Sequence, residues 1–298
     1  MARKIRAGII GPGNIGSDLM MKLMRSDVIE LVAMFGIDQH SRGMKLAREN
    51  GLVTFDNGID GIYDMEETKR PEIIFDSTSA GAHQHNNEVV QELGIRMIDL
   101  TPAALGPFTS PTVNLKDHIK ETNVNMITCG GQATTPIVAA VNDVADVEYA
   151  EIVATISSQS AGPGTRANID EFTETTALAL EKVGGADKGK AIIILNPAEP
   201  PILMRDTIYC QIKGAFDPQK VEDAILKREK EIQKIVPGYR LRTKPVINQN
   251  IVTVFVEVEG AGDYLPVYSG NLDIMTASAL GVAEEMAKDM IAREGKVG

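Results

Sequence analysis

Apolar and polar positions in the first third of the chain follow two different patterns in turn. The segments "KIRAGIIG", "IELVAMFGID", "EIIFDST" and "IRMIDLT" are short and mostly apolar, which is typical of strands buried on both faces. Between them, "NIGSDLMMKLMRS", "SRGMKLARENG" and "HNNEVVQELG" have the apolar spacing of helices. Buried strands that alternate with amphipathic helices predict a parallel sheet covered on both faces, a doubly wound α/β domain.

The pattern changes after about residue 136. The segments "AEIVATISS", "AIIILNP", "DTIYCQIKGAF" and "NIVTVFVEVEG" are longer strands with a clearer period of two. Two predicted helices lie between them, "NIDEFTETTALALEKVGG" and "DPQKVEDAILKREKEIQKIV". This arrangement predicts an α+β domain with a mixed or largely antiparallel sheet. A long helix, "SGNLDIMTASALGVAEEMAKDMIAREG", then follows with Asn271 or Asp273 near its N-cap.

Composition narrows the functional classes. The net charge of −11 argues against nucleic acid or an anionic membrane surface as a partner. Two cysteines in 298 residues do not make a disulfide framework, so we expect a reducing, cytoplasmic location. No segment approaches the roughly 20 apolar residues of a membrane span, and the N-terminal apolar run breaks at once on glycine and proline. No metal site is predicted.

The segment "GIIGPGNIG" has the spacing of a phosphate-binding turn. Gly11, Gly13 and Gly16 fall in the G-x-G-x-x-G pattern, directly after a strand and at the opening of a helix. Asp38 ends the second strand about twenty residues later, where a carboxylate can bond ribose hydroxyls. These residues predict dinucleotide binding and favour NAD over NADP. Asp38 could instead cap the next helix, and the nearby Arg42 leaves the cofactor preference open.

The segment "ITCGGQAT" places a cysteine between an apolar run and a helix. We expect a strand that ends at Cys129 and a helix with Thr135 as N-cap and Pro136 at its first position. A thiol in that turn faces the positive end of a helix dipole, which favours the thiolate. Cys129 could also be a small buried hydrophobic residue, as most free cysteines are.

The other cysteine and the histidines are predicted to be structural. Cys210 alternates with polar residues in "TIYCQIKG", so it should lie on the buried face of a half-exposed strand. The chain has four histidines, which we expect at the surface: His40, His83, His85 and His118.

A reactive thiol on a dinucleotide-binding protein indicates aldehyde oxidation through a covalent thioester. The oxyanion formed by thiolate attack needs hydrogen-bond donors. The amides of the glycine-rich turn that follows Cys129, or Gln132, could supply them. A cysteine protease or amidase would need a histidine base, which none of the expected surface histidines provides.

Five segments together resemble one family, the acylating acetaldehyde dehydrogenases. They are "IIGPGNIGSDLM", "TCGGQATTPIVAAV", "SSQSAGPGTRANIDEFTETTA", "NPAEPPILMRDTIYC" and "SGNLDIMTASA", and they occur in the same order. The resemblance implies a Rossmann domain followed by an α+β substrate and dimerisation domain, similar to glyceraldehyde-3-phosphate and semialdehyde dehydrogenases. It implies oxidation of acetaldehyde to acetyl-CoA, with NAD as cofactor and coenzyme A as co-substrate, through a thiohemiacetal and an acyl-thioester.

The resemblance also implies domains and partners. The NAD-binding domain would span residues 1–130 and the catalytic and dimerisation domain residues 131–270. A helix over residues 271–298 would pack back on the NAD domain. The family forms homodimers and pairs with 4-hydroxy-2-oxovalerate aldolase, which supplies its acetaldehyde.

The resemblance carries specific residues. Cys129 would be the nucleophile, and Asp206 a second catalytic residue, although Asp206 could equally pair with Arg205. Arg166 could attract phosphate. The predicted cofactor contacts are Gly11, Pro12, Gly13, Asn14, Ile15, Gly16, Asp38, Ser160, Ala161, Gly162, Pro163, Gly164, Thr165, Arg166, Ala167, Asn168 and Asn271. The chain departs from the family pattern at Ala167, where lysine is usual, and at Pro12, where serine is common and where proline removes one amide.

Two alternative functions stay open at this stage. A phosphorylating or semialdehyde dehydrogenase could use the same fold, although no cluster of arginines for a phosphate or carboxylate tail is evident. A non-enzymatic redox sensor could bind NAD and use Cys129 as a thiol switch.

Overall fold

The chain forms two compact units. The computed structural model describes residues 3–162, 165–166 and 168–295. The first unit comprises the described residues up to Pro107, Leu115–Met126, and those from Ala279 onward; the second comprises Phe108–Asn114 and Ile127–Ser278. The units therefore divide after Met126 and Ser278, whereas the predicted boundaries followed residues 130 and 270.

The first unit contains a six-stranded parallel sheet, as the alternation of strands and helices predicts. The spatial order is β3-β2-β1-β4-β5-β6. The strands are β1 (Ile5–Ile10), β2 (Ile29–Phe35), β3 (Val53–Phe55), β4 (Ile73–Asp76), β5 (Arg96–Asp99) and β6 (Asn123–Asn125). This order matches the dinucleotide-binding doubly wound sheet, in which ligands bind where the strand order reverses, between β1 and β4.

Short polar side chains cap two helices of the first unit. Ser41 and Ser79 accept hydrogen bonds from the amides of Met44 and Ala82 and so cap the second and third helices. The helices are α1 (Asn14–Leu23), α2 (Arg42–Glu49), α3 (Ala80–Glu92) and α4 (Leu115–His118). Short 3₁₀ segments span Gly58–Asp64 and Glu67–Lys69.

The second unit has the predicted mixed sheet. Its strands are β7 (Val147–Ser157), β8 (Lys188–Asn196), β9 (Met204–Ile212), β10 (Tyr239–Leu241), β11 (Val246–Asn248) and β12 (Ile251–Val258). The order is β10-β12-β9-β7-β8, with β11 also paired to β12; β7 and β8 are parallel and the other pairs antiparallel. The helices are α5 (Cys129–Asn142), α6 (Ile169–Lys182), α7 (Pro218–Gln233) and the first part of α8 (Gly270–Glu294), and a 3₁₀ turn spans Ser158–Ser160.

The period of two in β9 sorts its side chains between core and surface. Residues with even numbers are buried and those with odd numbers are more exposed along Met204–Ile212. Cys210 is fully buried, as predicted, and burial raises the pKa of its thiol to about 12. It therefore serves as a core residue.

One of the four predicted surface histidines is buried. His83 Nδ1 lies 2.8 Å from Asp76 Oδ2, and Nε2 lies 3.3 Å from Asp99 Oδ2. Asn86 also contacts Asp76, and Asn123 contacts the His83 ring. The prediction for His83 was wrong because its partners come from two strands that the sequence alone does not bring together.

Within the described residues, none of the helices has the length and apolar character that crossing a membrane requires.

Candidate active site

The glycine-rich turn joins β1 to α1, and its glycines have different structural roles. Gly11 has φ of 96°, and a Cβ atom there would lie 2.8 Å from the Ser77 carbonyl oxygen. A Cβ at Gly16 would lie 2.0 Å from the Gly11 carbonyl oxygen, so helix and strand pack closely. A Cβ atom at Gly13 would have no neighbouring atom within 4 Å. The first and third glycines are required by packing, and the second leaves room for a ligand, which fits dinucleotide binding.

Pro12 packs against two other glycines. A Cβ at Gly36 would lie 2.9 Å from Pro12 Cγ, and one at Gly43 would lie 2.0 Å from the Pro12 carbonyl oxygen. These contacts hold the turn against the end of β2 and the start of α2. Asn14 and Ile15 open α1 on the accessible side.

Ser77 holds the glycine-rich turn through its side chain. It was not singled out in the sequence. Its hydroxyl lies 2.9 Å from the carbonyl oxygen of Ile10 and 2.8 Å from that of Gly11. Ser77 follows β4, the strand beside β1 at the point where the strand order reverses. Its position directly after the third predicted strand is the sequence feature that could have identified Ser77 as part of the site.

Asp38 lies exposed beyond the end of β2. Its carboxylate accepts a hydrogen bond of 2.8 Å from the His40 amide. Because Ser41 caps α2, Asp38 does not have the capping role that the sequence left open. Its contact with a ribose stays a prediction.

The helix that carries the cysteine begins earlier than predicted. α5 starts at Cys129 with Thr128 as N-cap, and β6 ends at Asn125. Thr135 and Pro136, predicted to open the helix, lie inside it. Thr128 Oγ1 accepts a 2.9 Å hydrogen bond from the Gly131 amide, which fixes the first turn at the glycine pair.

The surroundings of the Cys129 thiol oppose its ionisation. Burial, and then the charge of Asp206, raise the pKa of Cys129 to about 12, whereas the amides of Gly130 and Cys129 lower it. The helix start thus acts in the predicted direction, but the surroundings outweigh it. Forming the predicted thiolate therefore requires a proton acceptor.

Asp206 lies near this thiol on the buried face of β9. One carboxylate oxygen accepts a 3.2 Å hydrogen bond from the Thr155 amide. The other is buried with no hydrogen-bond partner among the described residues. Burial raises the pKa of Asp206 well above its usual value. Arg205 faces the opposite side and pairs with Glu257 at 2.8 Å, so the alternative Arg205–Asp206 pair is not formed.

Gln132 does not supply the oxyanion donor that the sequence left open. Its side chain is buried and donates a 2.8 Å hydrogen bond to the Thr109 carbonyl oxygen. The Gly131 amide is bonded to Thr128. The amides of Cys129 and Gly130 are the donors that act on the sulfur.

The segment after β7 is held by its own side chains. Ser160 Oγ donates to the Ser157 carbonyl oxygen at 2.9 Å, and Arg166 donates to the carbonyl oxygens of Ala161 and Ser158 at 3.1 and 2.8 Å. Gly162 accepts from the Arg166 amide, Thr165 is half-buried, and Asn168 precedes α6 as N-cap. Pro163, Gly164 and Ala167 lie outside the described residues. Arg166 thus links to Ala161 and Ser158 across the described part of this segment.

Asn271 has a buried side chain without a partner. It lies in the first turn of α8 and is 1% exposed. Neither Oδ1 nor Nδ2 has a hydrogen-bond partner among the described residues. Because leaving a buried amide unpaired is costly, this side chain fits recognition of a ligand group that both donates and accepts, such as a carboxamide.

Sequence comparisons identify the family. A family model described as prokaryotic acetaldehyde dehydrogenase, dimerisation, matches residues 129–266. The acetaldehyde dehydrogenase of Bacillus cereus is 60% identical over 292 residues, 98% of this chain and 97% of that protein. This chain belongs to the acetaldehyde dehydrogenases. Its relative in Geobacillus stearothermophilus is 57% identical over 98% of this chain and 99% of that protein. Acetaldehyde dehydrogenase 2 of Metapseudomonas furukawaii is 58% identical, with coverage of 98% and 97%. The family and enzyme class predicted from sequence are confirmed.

A solved structure has a similar fold. Aspartate semialdehyde dehydrogenase II from Vibrio cholerae aligns over 96% of this chain and 99% of its own, with a TM-score of 0.63 and 13% identity. At that identity the likeness concerns the fold alone. The predicted fold class is thereby confirmed.

Proposed function

We propose that this acetaldehyde dehydrogenase is NAD-dependent and CoA-acylating, with Cys129 as nucleophile and Asp206 as its base. The observation that carries the proposal is the placement of the Cys129 thiol. It lies at the first residue of a helix whose amides act on the sulfur, and close enough to the buried Asp206 for that charge to raise its pKa. Family membership supports the aldehyde substrate.

The first step transfers a proton from Cys129 to Asp206. Burial raises the pKa of both groups, so the thiol needs a proton acceptor and the ionised form of Asp206 is assigned that role. One negative charge moves from the carboxylate to the sulfur, so the buried site gains no net charge. The unpartnered Asp206 oxygen is the atom available for the proton.

The thiolate then attacks the acetaldehyde carbonyl carbon. A carbon–sulfur bond forms, and the carbonyl π electrons move to oxygen, which becomes an alkoxide bound to the Cys129 sulfur. We assign the stabilisation of that charge to the amides of Cys129 and Gly130, which also lower the Cys129 pKa.

The proposed cofactor is NAD⁺, and two features of the chain are assigned to it. The turn at Gly11–Gly16 would hold its phosphates, and the unpaired Asn271 amide would bind its carboxamide. When bound, NAD⁺ would supply the hydride acceptor that lets the alkoxide collapse to a thioester on Cys129. The CoA thiol then attacks the thioester carbon, its proton goes to Cys129, acetyl-CoA leaves, and Asp206 releases to solvent the proton that it took up in the first step. The sum is acetaldehyde, CoA and NAD⁺ to acetyl-CoA, NADH and a proton.

The second unit supports a homodimer. The matching family model names dimerisation and covers residues 129–266. The outward face of the mixed sheet carries exposed apolar side chains, including Ile194 at 43%, Tyr209 at 38% and Ile251 at 43%. We assign this face to a second copy of the chain. Light scattering should report a dimer, and Tyr209→Glu should weaken it.

Two further assignments come from the family resemblance. We assign 4-hydroxy-2-oxovalerate aldolase as the source of acetaldehyde, and co-purification of the two proteins tests the complex. The two cysteines, both free, support a reducing, cytoplasmic location.

The function is tested by NADH formation from acetaldehyde with purified protein. We expect activity that requires CoA and is indifferent to phosphate. Cys129→Ser should abolish it with NAD binding retained, because a serine hydroxyl is a far weaker nucleophile without a strong base. Cys210→Ser is the matched control and should cost ~1–3 kcal/mol of stability through burial of a hydroxyl, with turnover per folded molecule unchanged.

Other results would assign another function. Activity that requires phosphate and not CoA would indicate a phosphorylating dehydrogenase. NAD binding with no turnover of any short aldehyde would indicate a redox sensor. Mass spectrometry without CoA should show an acetyl group on Cys129, and an adduct on Cys210 instead would contradict the mechanism.

A further inference from the structure

A chain of three buried hydrogen bonds links the start of α5 to α6. The Gly131 amide donates to Thr128 Oγ1 at 2.9 Å. Thr128 Oγ1 and Thr176 Oγ1 lie 2.6 Å apart, and Thr176 Oγ1 donates to the Phe172 carbonyl oxygen at 2.6 Å. Thr176 is fully buried, 48 residues from Thr128.

Counting the protons fixes the direction of the chain. A threonine hydroxyl has one proton to donate. The Thr176 proton is committed to the Phe172 carbonyl oxygen, so Thr128 must donate its own proton to Thr176. Thr128 Oγ1 is then left as acceptor for the Gly131 amide. Each group therefore has a single role, and the Thr128 side chain is fixed in one rotamer.

A second contact joins the same two helices. A Cβ atom at Gly130 would lie 2.7 Å from Phe172 Cζ, so the Phe172 ring packs directly on the Gly130 backbone. Phe172 thus receives the hydrogen-bond chain at its carbonyl oxygen and contacts the residue after Cys129 with its ring. Residues of α6 hold the first turn of α5 at two points.

We propose that Thr176 is a positioning residue for the nucleophile. It holds Thr128 as N-cap, and the N-cap holds the first turn so that the amides of Cys129 and Gly130 act on the sulfur. Without the Thr176 hydroxyl, the buried Thr128 proton loses its acceptor and the cap is free to rotate. The role of Thr176 in turnover rests on the proposed function, whereas its effect on the thiol does not.

Thr176→Val tests this proposal because valine keeps the shape and removes the hydroxyl. Loss of one hydrogen bond of ~1 kcal/mol corresponds to about a fivefold slower reaction of Cys129 with iodoacetamide at fixed pH. The kcat for acetaldehyde should fall by a similar factor with KM for NAD⁺ unchanged. Thr176→Ser restores the hydroxyl and should restore both rates.

Thr173→Val is the matched control on the same helix. Thr173 also donates to a carbonyl oxygen of its own helix, that of Asp170 at 2.9 Å, but it is only half-buried. It should leave the alkylation rate unchanged. If Thr176→Val does not fold, Thr176→Ala takes its place.

Equal alkylation rates for Thr176→Val and the unaltered chain would overturn the positioning role. Slow alkylation of Cys129 in Thr176→Ser would also overturn it, because the effect would then come from packing and not from the hydroxyl. A Cys129→Ser protein that oxidises acetaldehyde would instead overturn the proposed function, while the alkylation comparison at Cys129 would still decide the role of Thr176.

Discussion

The side chain of Ile127 fills the space in which a side chain at Gly131 would stand. A Cβ atom at Gly131 would lie 2.4 Å from Ile127 Cγ2. Ile127 itself has φ of 62°, a conformation that costs a β-branched residue ~1–3 kcal/mol and persists only where packing enforces it. Ile127 and Gly131, which enclose the nucleophile in the sequence, therefore pack tightly together and support it.

Gly131→Ala should disrupt this support. The added methyl group must displace the buried Ile127, and overpacking of this kind costs ~1–3 kcal/mol. We expect a lower urea midpoint and slower alkylation of Cys129. Gly81→Ala is the control, because Gly81 lies in the first turn of α3 with nothing within 4 Å of an added Cβ. That change should be neutral or stabilise by up to ~1 kcal/mol, and equal losses in both variants would contradict the fit.

Asp206→Asn separates two effects of one carboxylate. Its charge raises the Cys129 pKa, so its removal should make the thiol easier to ionise, and alkylation should not become slower. Turnover of acetaldehyde should nevertheless fall by about 10²–10⁴, the usual contribution of a general base. Alkylation rates and kcat, measured on the same preparation, check this. Unchanged turnover would remove Asp206 from the mechanism.

Asp38→Asn should reduce the preference for NAD⁺ over NADP⁺. Like charges ~4 Å apart near a protein surface repel by ~1–4 kcal/mol, so the ratio of kcat/KM values should change about tenfold or more. Asp56→Asn, at an exposed position just after β3, is the matched control and should leave the ratio unchanged. A ratio insensitive to Asp38→Asn would mean that its carboxylate does not face the ribose.

His83 should make the stability of the first unit depend on pH. Burial alone would lower the pKa of His83, but the hydrogen bond to Asp76 and the charges of Asp99 and Asp76 outweigh it and raise that pKa. A raised folded-state pKa gives stabilisation that is complete below the unfolded value of 6.5 and is lost as pH rises through the folded value. The urea midpoint should therefore decline above pH 6.5.

His83→Gln removes the titrating group and should flatten that decline. His85→Gln, at an exposed ring paired with Asp60, should retain the slope of the unaltered chain. A slope that survives in His83→Gln would assign it to other groups.

Periodicity predicted the two sheets well because it reports which face of each segment is buried. It failed at the start of α5, where the prediction placed Pro136 at the first helical position and left the two glycines before the helix. The glycines are accommodated because Ile127 and Phe172 occupy the space beside them, and no local pattern reports such contacts. A strand of three residues, such as β3, is likewise too short to show a period.

The site was predictable where a residue's type alone implies chemistry. Cys129 stands out in the sequence, whereas Thr176 does not, since its partner lies 48 residues away. Asp206 and Arg205 are neighbours in sequence, yet β9 sends them to opposite faces. Deciding whether Asp206 pairs with Arg205 or belongs to the site requires knowing which face of β9 is buried.

Pro12 cannot offer an amide to a phosphate, but its contacts with Gly36 and Gly43 give the turn its shape in advance. A turn with a fixed φ loses less conformational entropy when it closes on a ligand. Pro12→Ser should therefore bind NAD⁺ with a more favourable enthalpy, because an amide is restored. Its binding entropy should be less favourable, because the turn must be ordered. Calorimetric titration with NAD⁺ would resolve the two contributions, which a dissociation constant alone would conceal.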